Sequence, residues 1–328
     1  MHSSEIKSPF TGGPVREEIK EEEVSFRGEK FTVHARYYVC EDTGEQFTQT
    51  EQDNCTFNDL YAQYRVKHGI PFPGEIKAIR ERYNLNYAQI GKILGFGVNQ
   101  WAKYENGQLP TESNGRLIAA LRKKSTTLAL LDDIQDIFEP DEFAKIKGLI
   151  LNSPDIDPAP SKDSVFYRGT ARNIENGYGE FCAQKVEEMV KFFCGEGSYP
   201  TKINKQMFYA DFIHYKKFGI SISGLRYQAI HYGPVPVHYD TIYDNIIGLE
   251  KESIIKPSGE VTLLRAADKA NLGVFNATER QVIEQVQEKL APLSTAEIIE
   301  LSHKEEGWIS AYPQKAIIPY SEAYSIEL

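Results

Sequence analysis

Three stretches of the chain carry side chains whose types and spacing could do chemistry. Asp211 and His214 lie three residues apart in the aromatic run Phe208 to Tyr215, and His303 and Glu306 repeat that spacing near the C-terminus. Residues three apart share a helix face, so either carboxylate–imidazole pair could serve as a general base or hold a metal. The plainer reading, of polar groups satisfied at the seams between helices, is preferred. No third strong ligand is fixed by spacing, no glycine-rich phosphate loop is present, and no Ser or Cys sits in a nucleophile elbow. The second stretch is Val98-Asn99-Gln100-Trp101-Ala102-Lys103-Tyr104. An Asn or Gln amide can donate to and accept from adenine at once, and Lys can reach guanine or phosphate. In the third stretch, Ser8, Thr11, Cys40 and Thr43 occupy the four positions of a paired zinc-knuckle frame. Neutral hydroxyls are poor Zn²⁺ ligands beside thiolate or imidazole, so no metal is expected there.

These side chains must be positioned by a chain of 328 residues, a length that suggests about two domains with a smaller third. Hydrophobic residues at 41% and charged residues at 26% supply real cores and exclude a disordered chain. No run approaches the ~18 apolar residues of a membrane span, and the N-terminus has no basic-then-apolar leader, so the cytoplasm is expected. The four dispersed cysteines exclude a disulfide scaffold. Charge is divided sharply. Residues 1–57 net −6 and residues 62–127 net +7, while residues 128–328 carry −10. A basic middle between acidic ends confines phosphate attraction to one segment.

The expected fold is multidomain and mainly α with small β parts. Period-two apolar residues between Val24 and Val39 predict two short strands within a β-rich segment, residues 1–57. Residues 58–127 predict an all-α unit. It has a helix ending at Gly69, one bearing Ile76, Ile79 and Tyr83, one capped by Asn86 and ended by Gly95, one from Val98 to Glu105, and one over Asn114 to Lys124. Residues 128–152 predict a helical hairpin broken at Pro140, and residues 153–175 a Ser/Pro/Asp-rich linker. Residues 176–328 predict a mostly α domain with one β-hairpin around Ser258-Gly259. The acidic run Glu17 to Glu23 reads as a solvated face or strand edge.

Two helices joined by a short turn, here Gly95-Phe96-Gly97, can place the second in a DNA major groove. Leu85 to Gly107 resembles the helix-turn-helix of the Cro/cI-type (XRE) repressor family, including the aromatic-Glu-x-Gly ending Tyr104-Glu105-Asn106-Gly107. It departs at Tyr87, where that family often carries a contacting Gln. The knuckle frame with its β segment resembles the zinc-ribbon N-terminal domain of antitoxins that join such a ribbon to an XRE helix-turn-helix, with the metal lost. Gly177 to Tyr320 resembles the Panacea (SocA-like) domain in its Asp211/His214 helix, its Tyr232-Gly233-Pro234-Val235 turn and its Ser302-His303…Trp308 segment.

The resemblances imply a type II antitoxin that neutralises a cognate toxin by direct binding and represses its own operon as a homodimer on double-stranded operator DNA. DNA contacts are expected from Val98, Asn99, Gln100, Lys103 and Tyr87. Toxin contacts are expected from Asp211, His214, Tyr215, Arg226, Tyr232, His303 and Trp308. No catalytic residue, cofactor, metal or membrane partner is expected. Two alternatives stay open: a metal-dependent hydrolase built on Asp211, His214 and His303, and a phage-derived transcriptional regulator without a toxin.

Overall fold

The computed structural model describes residues 6–97, 99–154, 171–256, 259–326 and 328. Val98, Ser258 and most of the expected linker lie outside the described residues. Residues divide into two compact units, Met1–Leu60 with Ser161–Leu328, and Tyr61–Pro160. The chain is mainly α with small antiparallel sheets. Among the described residues no helix is long and apolar enough to cross a membrane.

In the first unit, β1 (Val15–Phe26), β2 (Glu29–Cys40) and β3 (Gln46–Phe47) form one sheet in that order. The β1–β2 pair is twelve residues long in each strand, with Val15 opposite Cys40 and Phe26 opposite Glu29. That exceeds the expected short strands, because the acidic run contributes a full strand. Cross-strand partners explain its charge. Glu17 pairs with Arg36, Glu22 accepts from the Tyr37 hydroxyl at 3.0 Å, and Glu21 lies 3.6 Å from His34. The two-residue turn Arg27-Gly28 has φ of +50° and +83°, the geometry whose twist matches a hairpin and for which glycine is suited. Helix α1 (Thr50–His68) begins eight residues before residue 58, the expected start of the all-α segment.

The rest of this unit is organised around α9 (Pro200–Phe218), in which every residue from Ile203 to Tyr215 is buried. A helix enclosed on all sides is the hub of a core. Around it pack α8 (Ala183–Cys194) through Val186, Met189, Val190 and Phe193, and α11 (Ala277–Leu290) through Val282, Ile283, Val286 and Leu290. Their spacing of three and four is that of one apolar face. The short α10 (Tyr239–Asn245), α12 (Thr295–Ser302) and α13 (Glu306–Ala311) complete the helices. The expected hairpin is present as β6 (Leu249–Lys256) with β7 (Gly259–Ala266). A second sheet, ordered β5-β4-β8, joins β4 (Tyr227–Ile230) to β5 (Gly233–Pro236) and to β8 (Ile317–Ile318). Its strands are too short for a period to register, and two prolines in β5 masked it further.

The second unit holds α2 (Pro73–Arg82), α3 (Tyr87–Ile93), α4 (Gln100–Glu105), α5 (Glu112–Ala120), α6 (Lys124–Asp133) and α7 (Pro140–Leu151). Four of these six starts have a local cause: Pro73 and Pro140 at first helical positions, Asn86 and Thr111 as caps. One core of Ile76, Ile79, Tyr83, Ile90, Ile93, Trp101 and Ile118 also takes Leu131, Ile146 and Ile150 from α6 and α7. The α6–α7 hairpin therefore shares its apolar interior with the helices before it.

Candidate functional site

The helix–turn–helix is built from local signals. Asn86 Oδ1 accepts from Gln89 N at 2.9 Å while Gln89 Oε1 accepts from Asn86 N at 3.0 Å, a reciprocal cap that starts α3. Gly95 at φ +68° ends it, and Phe96 N donates to Gly91 O at 2.8 Å. Helix α4 turns Trp101 and Tyr104 into the core and leaves Asn99 and Lys103 exposed, with Gln100 half-buried and its Nε2 3.4 Å from Gln108 Oε1. Of the five residues expected at DNA, Asn99 caps the start of α4 and is exposed, Gln100 follows it half-buried, Lys103 is exposed in the last turn, and Tyr87 is exposed at the start of α3.

A clamp fixes α4 that sequence reading did not identify. Arg80 of α2 grips both oxygens of Glu105 through Nε and Nη2, at 2.6 and 3.0 Å, and Glu105 also accepts from Trp101 Nε1 at 2.6 Å. The same arginine donates to Leu85 O at 3.2 Å and lies 4.6 Å from the Tyr87 ring centre. Hydrogen bonding to Glu105 raises the Arg80 pKa. Forked pairing of this kind fixes orientation as well as distance. Glu105 in the Tyr-Glu-Asn-Gly ending was the available signal, but its partner lies 25 residues away.

The four knuckle positions converge. Ser8 O accepts from Gly12 N and Cys40 O from Gly44 N, both at 2.8 Å, and the two glycines have φ of +74° and +76°. The turns are near copies, facing each other at one end of the β1–β2 sheet. Thr11 Oγ1 lies 3.4 Å from Cys40 Sγ and donates to Asp42 Oδ2 at 2.7 Å. Hydrogen bonds from Ser8, then Thr11 and Thr43, lower the Cys40 thiol to about 6. Burial of the sulfur opposes these hydrogen bonds but is the smaller effect. A set of three hydroxyls and one thiol does not fit a structural zinc, and Phe10, Phe47 and Tyr38 pack beside it with centroids 5.9 and 5.5 Å apart. Treatment with EDTA should leave the melting temperature unchanged, as read by circular dichroism. A drop of several degrees would mean that metal closes these turns.

The C-terminal residues separate into two groups. Asp211, His214 and Tyr215, which the resemblance placed among the toxin contacts, are 0, 2 and 0% exposed and lie within the core. Asp211 accepts from Ile222 N and Ser223 N, both at 2.8 Å, from Tyr227 Oη at 2.7 Å and from the Ser223 hydroxyl. Burial pushes its carboxyl upward against these four donors. His214 bonds Ile220 O at 2.7 Å and Thr278 Oγ1 at 3.2 Å, and burial lowers it to about 4. These two groups pin the loop after α9. The second group lies nearer solvent: Tyr232 is 58% exposed, and Arg226, His303 and Trp308 are half-buried. His303 and Glu306 do not share a helix face, because α12 ends at Ser302 and α13 begins at Glu306. Asp211, His214 and His303 form no metal-holding group among the described residues.

Asp59 is the residue that sequence reading missed most completely. Buried at 1% exposure, its carboxylate accepts from His34 N at 3.0 Å and Tyr215 Oη at 3.4 Å, and meets His34 Nδ1 at 3.1 Å. His34 also stacks on Tyr324 at 5.1 Å, Asn58 Nδ2 donates to Lys217 O at 2.8 Å, and Ile19 packs on the α9 core. The N-terminal sheet is thereby tied to the C-terminal core.

Comparison with known families supports an antitoxin of a toxin–antitoxin system. Residues 203–309 match the family described as antitoxin SocA-like, Panacea domain. Residues 6–134 match the family described as the antitoxin component of a bacterial toxin–antitoxin system, MqsA. No curated protein and no solved structure gave a match.

Proposed function

We propose that the chain is an antitoxin that reads operator DNA through α4 and binds its toxin through the C-terminal portion of the first unit. The observation that carries the DNA reading is the Arg80–Glu105–Trp101 clamp. It holds a short helix rigidly by its inner face while Asn99 and Lys103 stand outward in the segment of the chain that nets +7. Such a helix offers amide and ammonium donors to a groove, and a homodimer would present two of them to a palindromic site.

Fluorescence anisotropy against the chain's own upstream DNA tests this. Affinity should fall steeply with salt, because neutralised phosphates release counterions. Lys103→Ala should reduce the salt slope by about 1. Asn99→Ala and Gln100→Ala should each relax sequence preference by about 1–3 kcal/mol. Full sequence preference in the double variant would sink the choice of face. Growth rescue by the full chain against the toxin encoded beside it should survive all three substitutions, which separates neutralisation from DNA binding.

A further inference from the structure

The hairpin of β6 and β7 leaves one strand edge open. Ala267 N donates to Gly248 O at 2.8 Å, and the register that sets Leu249 opposite Ala266 makes this a hydrogen-bonded pair. Such pairs alternate along an antiparallel ladder, so Glu250, Glu252 and Ile254 are the residues of β6 that bond to β7. Leu264 agrees with that phase. It lies opposite Lys251 and exchanges both backbone bonds with Ser198, at 2.9 and 2.8 Å, on the far edge of β7. The backbone groups of Lys251, Ser253 and Ile255 therefore point away from β7, and they bond to no other described residue.

The far end of the hairpin also stands clear of the core. Leu263 and Leu264 are buried, but beyond them Ser253, Gly259, Glu260 and Thr262 are exposed, and Ile255 is 89% exposed. Two strands alone are marginal in water, and an uncovered edge is a template for another strand. Charges guard the first half of β6, where Lys251 pairs with Asp244 and Glu252 with Arg265. The following Ser253-Ile254-Ile255 has no such guard.

We propose that this edge pairs with the same edge of a second copy of the chain, antiparallel about a two-fold axis at Ile254. The outward backbone groups limit the registers that can bond, and the residue types choose among them. An axis at Lys251 sets that lysine against itself and Glu250 against Glu252, and an axis at Glu252 brings two carboxylates together. An axis at Ser253 puts Ile254 opposite Glu252 and Ile255 opposite Lys251. An axis at Ile255 puts Ile254 opposite Lys256 and Ser253 opposite Pro257, which has no N–H. Only the axis at Ile254 matches like with like. It sets Ile254 against Ile254, Glu252 against Lys256 of the second copy, and Ser253 against Ile255 on both sides, each of these last pairs exchanging both backbone bonds. The Ile255 side chains then become diagonal neighbours. This self-complementarity is what an isologous contact requires. A contact of this size is transient, and it depends on neither the DNA nor the toxin reading.

Disulfide trapping in the full-length protein tests the contact and its register together. At the axis the opposed Cα atoms stand about 4.5 Å apart, within reach of a disulfide. Under mild oxidation Ile254→Cys should form a linked dimer about tenfold or more faster than Glu250→Cys or Glu252→Cys, whose copies the register holds apart. The parent protein supplies the background from its own cysteines. Ser253→Pro removes an outward N–H and no bond to β7. Combined with Ile254→Cys, it should slow trapping about tenfold or more while the melting temperature holds. Ile255→Lys sets two ammonium groups diagonally across the axis, should also slow trapping, and reports independently if the proline variant fails to fold. Equal trapping at all three positions, faster trapping at Glu252→Cys, or trapping at Ile254→Cys that neither second substitution slows would each overturn the pairing. Protection of the Lys251, Ser253 and Ile255 amides from hydrogen exchange only when the toxin encoded beside the chain is added would give the edge to the toxin and overturn it as well.

Discussion

Asp59→Ala is expected to lower the unfolding free energy of the first unit by about 3–5 kcal/mol, the range for removing one partner from a buried charged cluster. The substitution leaves the His34 backbone N–H, the His34 ring and the Tyr215 hydroxyl facing an empty position in an interior where they cannot turn to water. Asp59→Asn keeps an acceptor and should cost less. Urea denaturation followed by tyrosine fluorescence measures both. A loss below about 1 kcal/mol for the alanine variant would show that the apolar contacts around Ile19 hold the sheet without the carboxylate.

The same cluster sets a pH dependence. Hydrogen bonding to Asp59 is the largest influence on His34 and, against burial, raises its pKa above 6.5. A histidine raised in the folded state binds its proton more tightly there, so its contribution is complete below about pH 6.5 and fades as pH rises through the folded value. His34→Gln should flatten that part of the stability profile.

The second large effect is a gain. A variant carrying Ser8→Cys, Thr11→Cys and Thr43→Cys should bind Zn²⁺ with an apparent free energy of about 10 kcal/mol or more, as structural zinc sites do. The two turns already gather Ser8, Thr11 and Thr43 around Cys40, with Thr11 Oγ1 3.4 Å from Cys40 Sγ. Four thiolates at Zn–S distances of about 2.3 Å require only small adjustment of such a frame. Without metal the variant should be less stable than the parent, because the hydroxyl hydrogen bonds are gone. Absorption of the Co²⁺ complex in the tetrahedral thiolate region would report the site. If three cysteines gave no tetrahedral Co²⁺ spectrum, the turns would not be preorganised as the hydrogen bonds imply.

Much of the second unit was legible because its signals are local. The Asn86 cap, the Gly95 stop and the inward Trp101 and Tyr104 each depend on neighbours within a turn or two, where residue type and helical period suffice. The same holds for the missing zinc ligands, since metal chemistry is decided by which atoms are present. The Arg80–Glu105 grip was not legible, because nothing in a charged residue's type names a partner on another helix.

Sequence by itself also divided the charge, gave the mainly α character and marked Asp211 and His214 as groups needing explanation. Only the tertiary structure decided what they explain: thirteen consecutive buried residues on α9 turn an apparent catalytic pair into fasteners of a loop. It alone joined residues 1–60 to 161–328, through Asp59, His34 and Tyr215, and set Gly233 of the β4–β5 turn against Lys205 of α9. The physical reason is common to all three. Period and composition report how one element meets solvent, whereas burial from every side and pairing across more than a hundred residues arise only when elements enclose one another.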